Sequence, residues 1–205
     1  MDSFWQIIDN LPQPIYCERA NSLFVAEPIN LITNLAFLIS AIFTYRLIKT
    51  KNIKGPIYNL FPWLIFLIGI GSTSWHLYRS PVTLLFDAIP TYVFLCLSLF
   101  LLLKKLIRNT NLTFGIIAIF ILIQIFLTIN FSYLLNNSIR HIVNAGLLLI
   151  LIFLANKKFG KASLQLFFVF LVYIAGIIFR TIDLQICPIF SIGTHFLWHL
   201  LVAWG

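Results

Sequence analysis

The sequence predicts an all-α fold: a polytopic membrane protein, a bundle of seven transmembrane helices with the N-terminus outside and the C-terminus cytoplasmic. Three observations predict it. Of 205 residues, 60% are hydrophobic and 10% charged, and the mean hydropathy is +0.98, whereas soluble domains are nearer a quarter charged. Uncharged stretches at 28–45, 56–78, 81–103, 112–130, 139–156, 162–179 and 188–204 each reach the ~17–25 residues that cross a hydrocarbon core. The cations also alternate between the loops on the two sides of these stretches.

Residues 1–27 read as an extracytoplasmic segment and 28–205 as one seven-helix transmembrane domain, with no room for a soluble one. Met1 to Leu11 carries Asp2 and Asp9 and lacks a basic start or a long apolar run, so it does not read as a cleavable signal. The first span ends at Arg46, Lys49, Lys51 and Lys54. The second runs outward to Arg79, and the third ends at Lys104, Lys105 and Arg108. The fourth and fifth are the least sharply bounded, because Asn109 to Ile139 holds no charge, and the fifth ends at Lys157, Lys158 and Lys161. Those ten cations face Arg19, Arg79, Arg140 and Arg180 on the other side, which orients the bundle by the positive-inside rule. The net charge of +8 is therefore a topology signal, and a nucleic-acid partner is excluded.

Ionisable groups at membrane depth are costly and usually face the bundle interior, so the few present here carry the chemistry. "GSTSWH" (Gly71 to His76) closes the second span, Asp87 lies early in the third, and His195 and His199 lie in the seventh. His141, Arg180 and Asp183 fall in outer loops or at helix ends, where water serves them. At 1.5 Å per residue, Asp87 lies roughly 9 Å and His195 about 10 Å below the outer end, with His199 one turn deeper. All are in the outer half of the bilayer.

Residues four apart share a helix face, so His195 and His199 point one way, as do Ser72 and His76; Ser74 faces elsewhere. The pair alone suits a metal or a haem, but two ligands on one face cannot easily bracket a haem. With His76, three imidazoles provide a catalytic zinc site that leaves a fourth position for water. With no cysteine or second carboxylate at that depth, the set suits zinc better than iron–sulfur or calcium. A single histidine near a helix end is otherwise a hydrogen-bonded structural residue. Phe196, Trp198 and Trp204 read as packing and interfacial anchors.

"YCERANSLFVAEPINLITN" (Tyr16 to Asn34), "GIGSTSWH" followed by Asp87-Ala88-Ile89-Pro90, "FRTID" (Phe179 to Asp183) with Cys187, and "THFLWH" together resemble the alkaline ceramidase family. That family sits within a superfamily of seven-helix membrane hydrolases that includes adiponectin-receptor-like proteins. The resemblance implies zinc ligands at His76, His195 and His199, catalytic roles for Asp87 and Ser72, and a disulfide between Cys17 and Cys187. It implies hydrolysis of the amide of ceramide or a related N-acyl lipid to a fatty acid and a sphingoid base. Cys96 packs as an apolar group.

Animal members of that family resemble calcium binders, with an acidic Asp-Trp-Cys-Glu-x-Asn segment. Here Ile15 to Ala20 lacks the leading Asp and the Asn and gains Arg19. Glu18 and Glu27 remain, with Asn21 and backbone carbonyls as further donors, against the six or more oxygens calcium takes. The expectation is no calcium site or a degenerate one, with Glu27 bonding backbone or Arg180 instead. The alternative function is a non-catalytic, zinc-stabilised receptor or scaffold of the adiponectin-receptor-like type.

Overall fold

The computed structural model describes residues 13–19, 25 and 27–204, and among these there are helices and irregular backbone but no strand. In chain order the helices are α1 (Pro28–Thr33), α2 (Leu35–Thr50), α3 (Leu60–Tyr78), α4 (Pro81–Ile107), α5 (Thr110–Phe131), α6 (Ile139–Phe159), α7 (Ser163–Ile186) and α8 (His195–Trp204). A tightened turn at Asn34, whose N–H bonds Leu31 O at 3.3 Å, separates α1 from α2 within one span. Among the described residues six spans are long and apolar enough to cross a bilayer: α1 with α2, α3 with its preceding 3₁₀ turn Pro56–Asn59, and α4 to α7.

Several helices outrun the uncharged stretches that announce them. α2, α4 and α6 end with Lys49, with Lys104 and Lys105, and with Lys157 and Lys158 in their last turns. Cations there face the negative end of the helix dipole while their stems stay in the apolar layer. Charge thus marks the edge of the hydrocarbon, and the helix continues beyond it.

The seventh span departs further from expectation. α8 starts at His195 and its 10 described residues cover about 15 Å, so the helix begins seven residues later than the stretch at 188–204 implies. The preceding residues turn instead, through Pro188 and through Gly193 at φ +65°. A β-carbon on Gly193 would meet the Asp183 carboxylate and the Cys17 side chain, so only glycine fits. The same carboxylate accepts the N–H groups of Thr194 (2.7 Å) and His195 (2.8 Å). That anion satisfies donors the first helical turn leaves free and favours the positive end of the helix.

α2 packs on α3, α3 on α4, and each later helix on the next, until α8 returns against α2 and closes the bundle. Large apolar side chains point outward, Trp63 (67% exposed) and Ile129 (66%) among them, as lipid-facing helices require. The α3–α4 contact is intimate. Pro90 lies inside α4 and has no N–H, which removes the helical bond to the Phe86 carbonyl. A β-carbon on Gly71 of α3 would collide with that carbonyl and lie 2.9 Å from Asp87 Cα. Glycine and proline together let the backbones touch where Ser72 and Asp87 are carried.

Candidate metal centre

His195 and His199 occupy successive turns of α8, and His76 reaches them from the last turns of α3. All three are at most 2% exposed, and one ring nitrogen from each lies within 4.8 Å of the others. His76 Nε2 and His199 Nε2 are 3.2 Å apart.

The partners of the other ring nitrogens fix what those two atoms present. His76 Nδ1 bonds the Glu27 carboxylate, an acceptor, so the imidazole proton lies on Nδ1. His199 Nδ1 lies 3.0 Å from Thr33 Oγ1. That hydroxyl spends its one proton on a backbone carbonyl, Ile29 O at 2.9 Å or Asn30 O at 3.0 Å, and so accepts from His199. Both Nε2 atoms therefore bring lone pairs to one point with no proton between them, an arrangement repulsive unless a cation lies there. A tetrahedral metal with nitrogen ligands at ~2.0–2.1 Å separates them by roughly 3.3 Å. Among the described residues, buried His195 Nδ1 has no hydrogen-bond partner. The donor set fits a metal ion, and the carboxylate and hydroxyl behind it are the outer partners such ligands use.

A strap, residues 13–19, closes over this cluster. Cys17 and Cys187 form a disulfide with Cα atoms 5.5 Å apart, and Cys17 N–H donates to Asp183 at 2.7 Å. The Tyr16 ring stacks on His195 with centroids 3.6 Å apart and planes 14° from parallel, and Arg180 Nη1 donates to its hydroxyl at 3.0 Å. Burial raises the Tyr16 phenol above its ordinary range; Arg180 and Arg79 oppose that, and the Asp87 and Glu27 charges add to it.

Ser72 is buried one turn before His76, and Asp87 is half-buried on α4. Thr73 and Ser74 back-bond to the Gly69 and Ile70 carbonyls at 2.7 and 2.9 Å. Among the described residues no such bond ties up the Ser72 hydroxyl, and none holds the Asp87 carboxylate.

A sequence model of the Ceramidase family matches residues 15–205. The chain belongs to the Ceramidase family. A comparison with curated proteins finds no match. Membership supports a ceramide-hydrolysing enzyme of lipid metabolism, a hydrolase acting on amide bonds, and the six spans suit a multi-pass membrane protein.

The two acids expected of a degenerate calcium site are engaged separately in this ceramidase-family chain. Glu18 accepts from Ile29 N–H (2.5 Å) and Asn30 N–H (2.9 Å), capping the first span. Glu27 Oε2 meets His76, and its Oε1 faces Arg79 Nη1 at 3.3 Å. Burial raises the Glu27 carboxyl, and Arg79 is the chief influence pulling it back. Asn21 lies outside the described residues. No shared oxygen cage remains between Glu18 and Glu27, so the residues described do not fit calcium.

Two sequence expectations are corrected. Arg180 and Asp183 do not meet water: they are 4% and 0% exposed, because α7 runs on to Ile186 and carries them inside the bundle. Glu27 pairs with Arg79 and not with Arg180, which serves Tyr16. His141 is half-buried, 3.1 Å from the Tyr173 hydroxyl. Tyr16, Thr33 and Arg79 escape a sequence reading of the site, although Arg79 carries a faint signal: it follows His76 by three residues at the helix end.

Proposed function

We propose that the chain is a zinc-dependent intramembrane amidase that hydrolyses ceramide or a related N-acyl lipid to a fatty acid and an amine. The observation that carries this reading is the pair of Nε2 atoms 3.2 Å apart, each with its other ring nitrogen turned to an oxygen acceptor, with His195 beside them. His76, His195 and His199 hold the ion, and a zinc ion there supplies a Lewis acid and brings the ionisation of water toward neutral pH. Residues 1–27 lie outside the membrane, residues 28–205 form the hydrolase domain, and the site lies in the outer half of the bilayer.

Asp87 takes the proton of the attacking water and returns it to the amide nitrogen as the carbon–nitrogen bond breaks, which is general base then general acid work. Ser72, free of the back-bonding that occupies Thr73 and Ser74, donates to the carbonyl oxygen as negative charge builds on it. The Glu27 and Thr33 contacts keep the ligand imidazoles in one tautomer and orientation.

The test is purified protein assayed for metal content and for fatty acid released from a panel of N-acyl lipids. About one zinc per chain and release from ceramide are expected, with both lost in His199→Ala. Turnover by a metal-free His199→Ala protein would sink the proposal. Bound zinc with no hydrolysis of any lipid amide would favour the scaffold instead.

A further inference from the structure

Arg79 sits where α3 ends. Its backbone is left-handed at φ 50°, and its N–H closes on Trp75 O at 2.9 Å. That turn throws the side chain across the Trp75 ring, 4.3 Å from its centroid, toward the strap. The guanidinium then meets two oxygens of different origin. Nη2 donates to the Pro14 carbonyl at 2.6 Å, and Nη1 lies 3.3 Å from Glu27 Oε1. Among the described residues Oε1 has no hydrogen-bond partner, and this cation is what faces it. The second oxygen of the same carboxylate bonds His76 Nδ1.

A backbone carbonyl and a carboxylate gathered around one positive charge are what a bound divalent cation gathers. Here the charge is covalently part of α3. The other acid that could enlarge such a site, Glu18, already accepts two backbone N–H groups.

We propose that Arg79 is a built-in replacement for a structural calcium ion: a positioning residue that ties the strap to Glu27 and, through Glu27, aims His76 at the metal. The device makes the geometry of the three-histidine centre independent of dissolved calcium. Arginine suits it because its planar fork addresses two acceptors at once and never loses its charge. The inference rests on the three histidines holding a metal and not on the reaction that metal serves.

The experiment has two arms on the full-length protein in detergent. Equilibrium dialysis of the unmutated protein with calcium at about 1 mM, the weakest range of protein calcium sites, is expected to find no bound ion. Its melting temperature is expected not to move on calcium addition. Arg79→Met and Arg79→Lys both retain a β-carbon at the left-handed position, so their backbone cost is shared. Arg79→Met is expected to weaken zinc binding by about 10–100-fold, the usual loss when an outer partner of a ligand is removed. It is also expected to shift the visible bands of the cobalt-substituted protein, which report ligand geometry. Arg79→Lys is expected to recover much of both, whereas Leu103→Ala, far along α4, leaves the cobalt bands in place.

Stoichiometric calcium binding by the unmutated protein would overturn the inference, even if Arg79→Met fails to fold. Unchanged zinc affinity and cobalt bands in a folded Arg79→Met protein would overturn it as well. Absence of zinc from the unmutated protein would instead sink the metal reading itself.

Discussion

Two parts of this bundle are held together by opposite means. Around the histidines, side chains meet in specified pairs: His76 with Glu27, His199 with Thr33, Tyr16 with Arg180, and Asp183 with three backbone N–H groups. About 24 Å further along α4, at 1.5 Å per residue from Asp87 to Leu103, the interior is apolar. There Leu99, Leu103, Phe120 and Leu151 pack as a buried cluster drawn from α4, α5 and α6. Lipid offers leucine nearly the same surroundings as a neighbouring helix does, so the apolar cluster is held by close packing and has little orientational demand. The polar end has alternatives only at high cost, because an unpaired polar atom there has no water to turn to. Its geometry is consequently specific, which is what the proposed chemistry there requires.

That contrast predicts a gradient of effects. The largest is expected at Asp87→Asn, which should lower kcat by about 10²–10⁴ while zinc content, read by metal analysis, stays near one per chain. Joint loss of zinc would move Asp87 from proton transfer to metal support. Glu27→Gln comes next: removal of the carboxylate behind His76 should weaken zinc binding about 10–100-fold by chelator competition. Thr33→Val, acting on one neutral contact to His199, should fall at the low end of that range, near 10-fold. Leu103→Ala should cost about 2 kcal/mol of unfolding free energy in a detergent titration and leave zinc affinity alone; a change in affinity would erase the distinction between the two ends. Smallest is Ser74→Ala, expected within about 0.5 kcal/mol and without effect on turnover, in contrast to Ser72→Ala.

The sequence was informative in proportion to how local each feature is. Apolar run length exposed the six long spans, and four-residue spacing put His195 and His199 on one face. Asp87 and His76 stood out because ionisable groups are rare at that depth. What escaped depends on contacts between distant segments. Glu27 and His76 are 49 residues apart in the chain, and Tyr16 and Arg180 are 164 apart; no periodicity encodes either pairing. The start of α8 was missed for a related reason. Residues 188–194 are apolar enough for a helix, and the turn that replaces one is set by Asp183 and Cys17 from elsewhere. Arg180 and Asp183 looked water-served because apolar run length stops where α7 does not.

Asp183 also bears on register. An apolar helix such as α8 can slide or rotate in lipid at little energetic cost, and a slip of one residue turns its faces by about 100°. That would swing both of its histidines away from His76. Two N–H groups of α8 and its approach converge on one carboxylate oxygen of α7, with the Cys17 N–H on the other. The arrangement counts residues as well as binding them: α8 can begin only at His195. A carboxylate outside the three-histidine cluster therefore sets the rotation at which three imidazoles can meet.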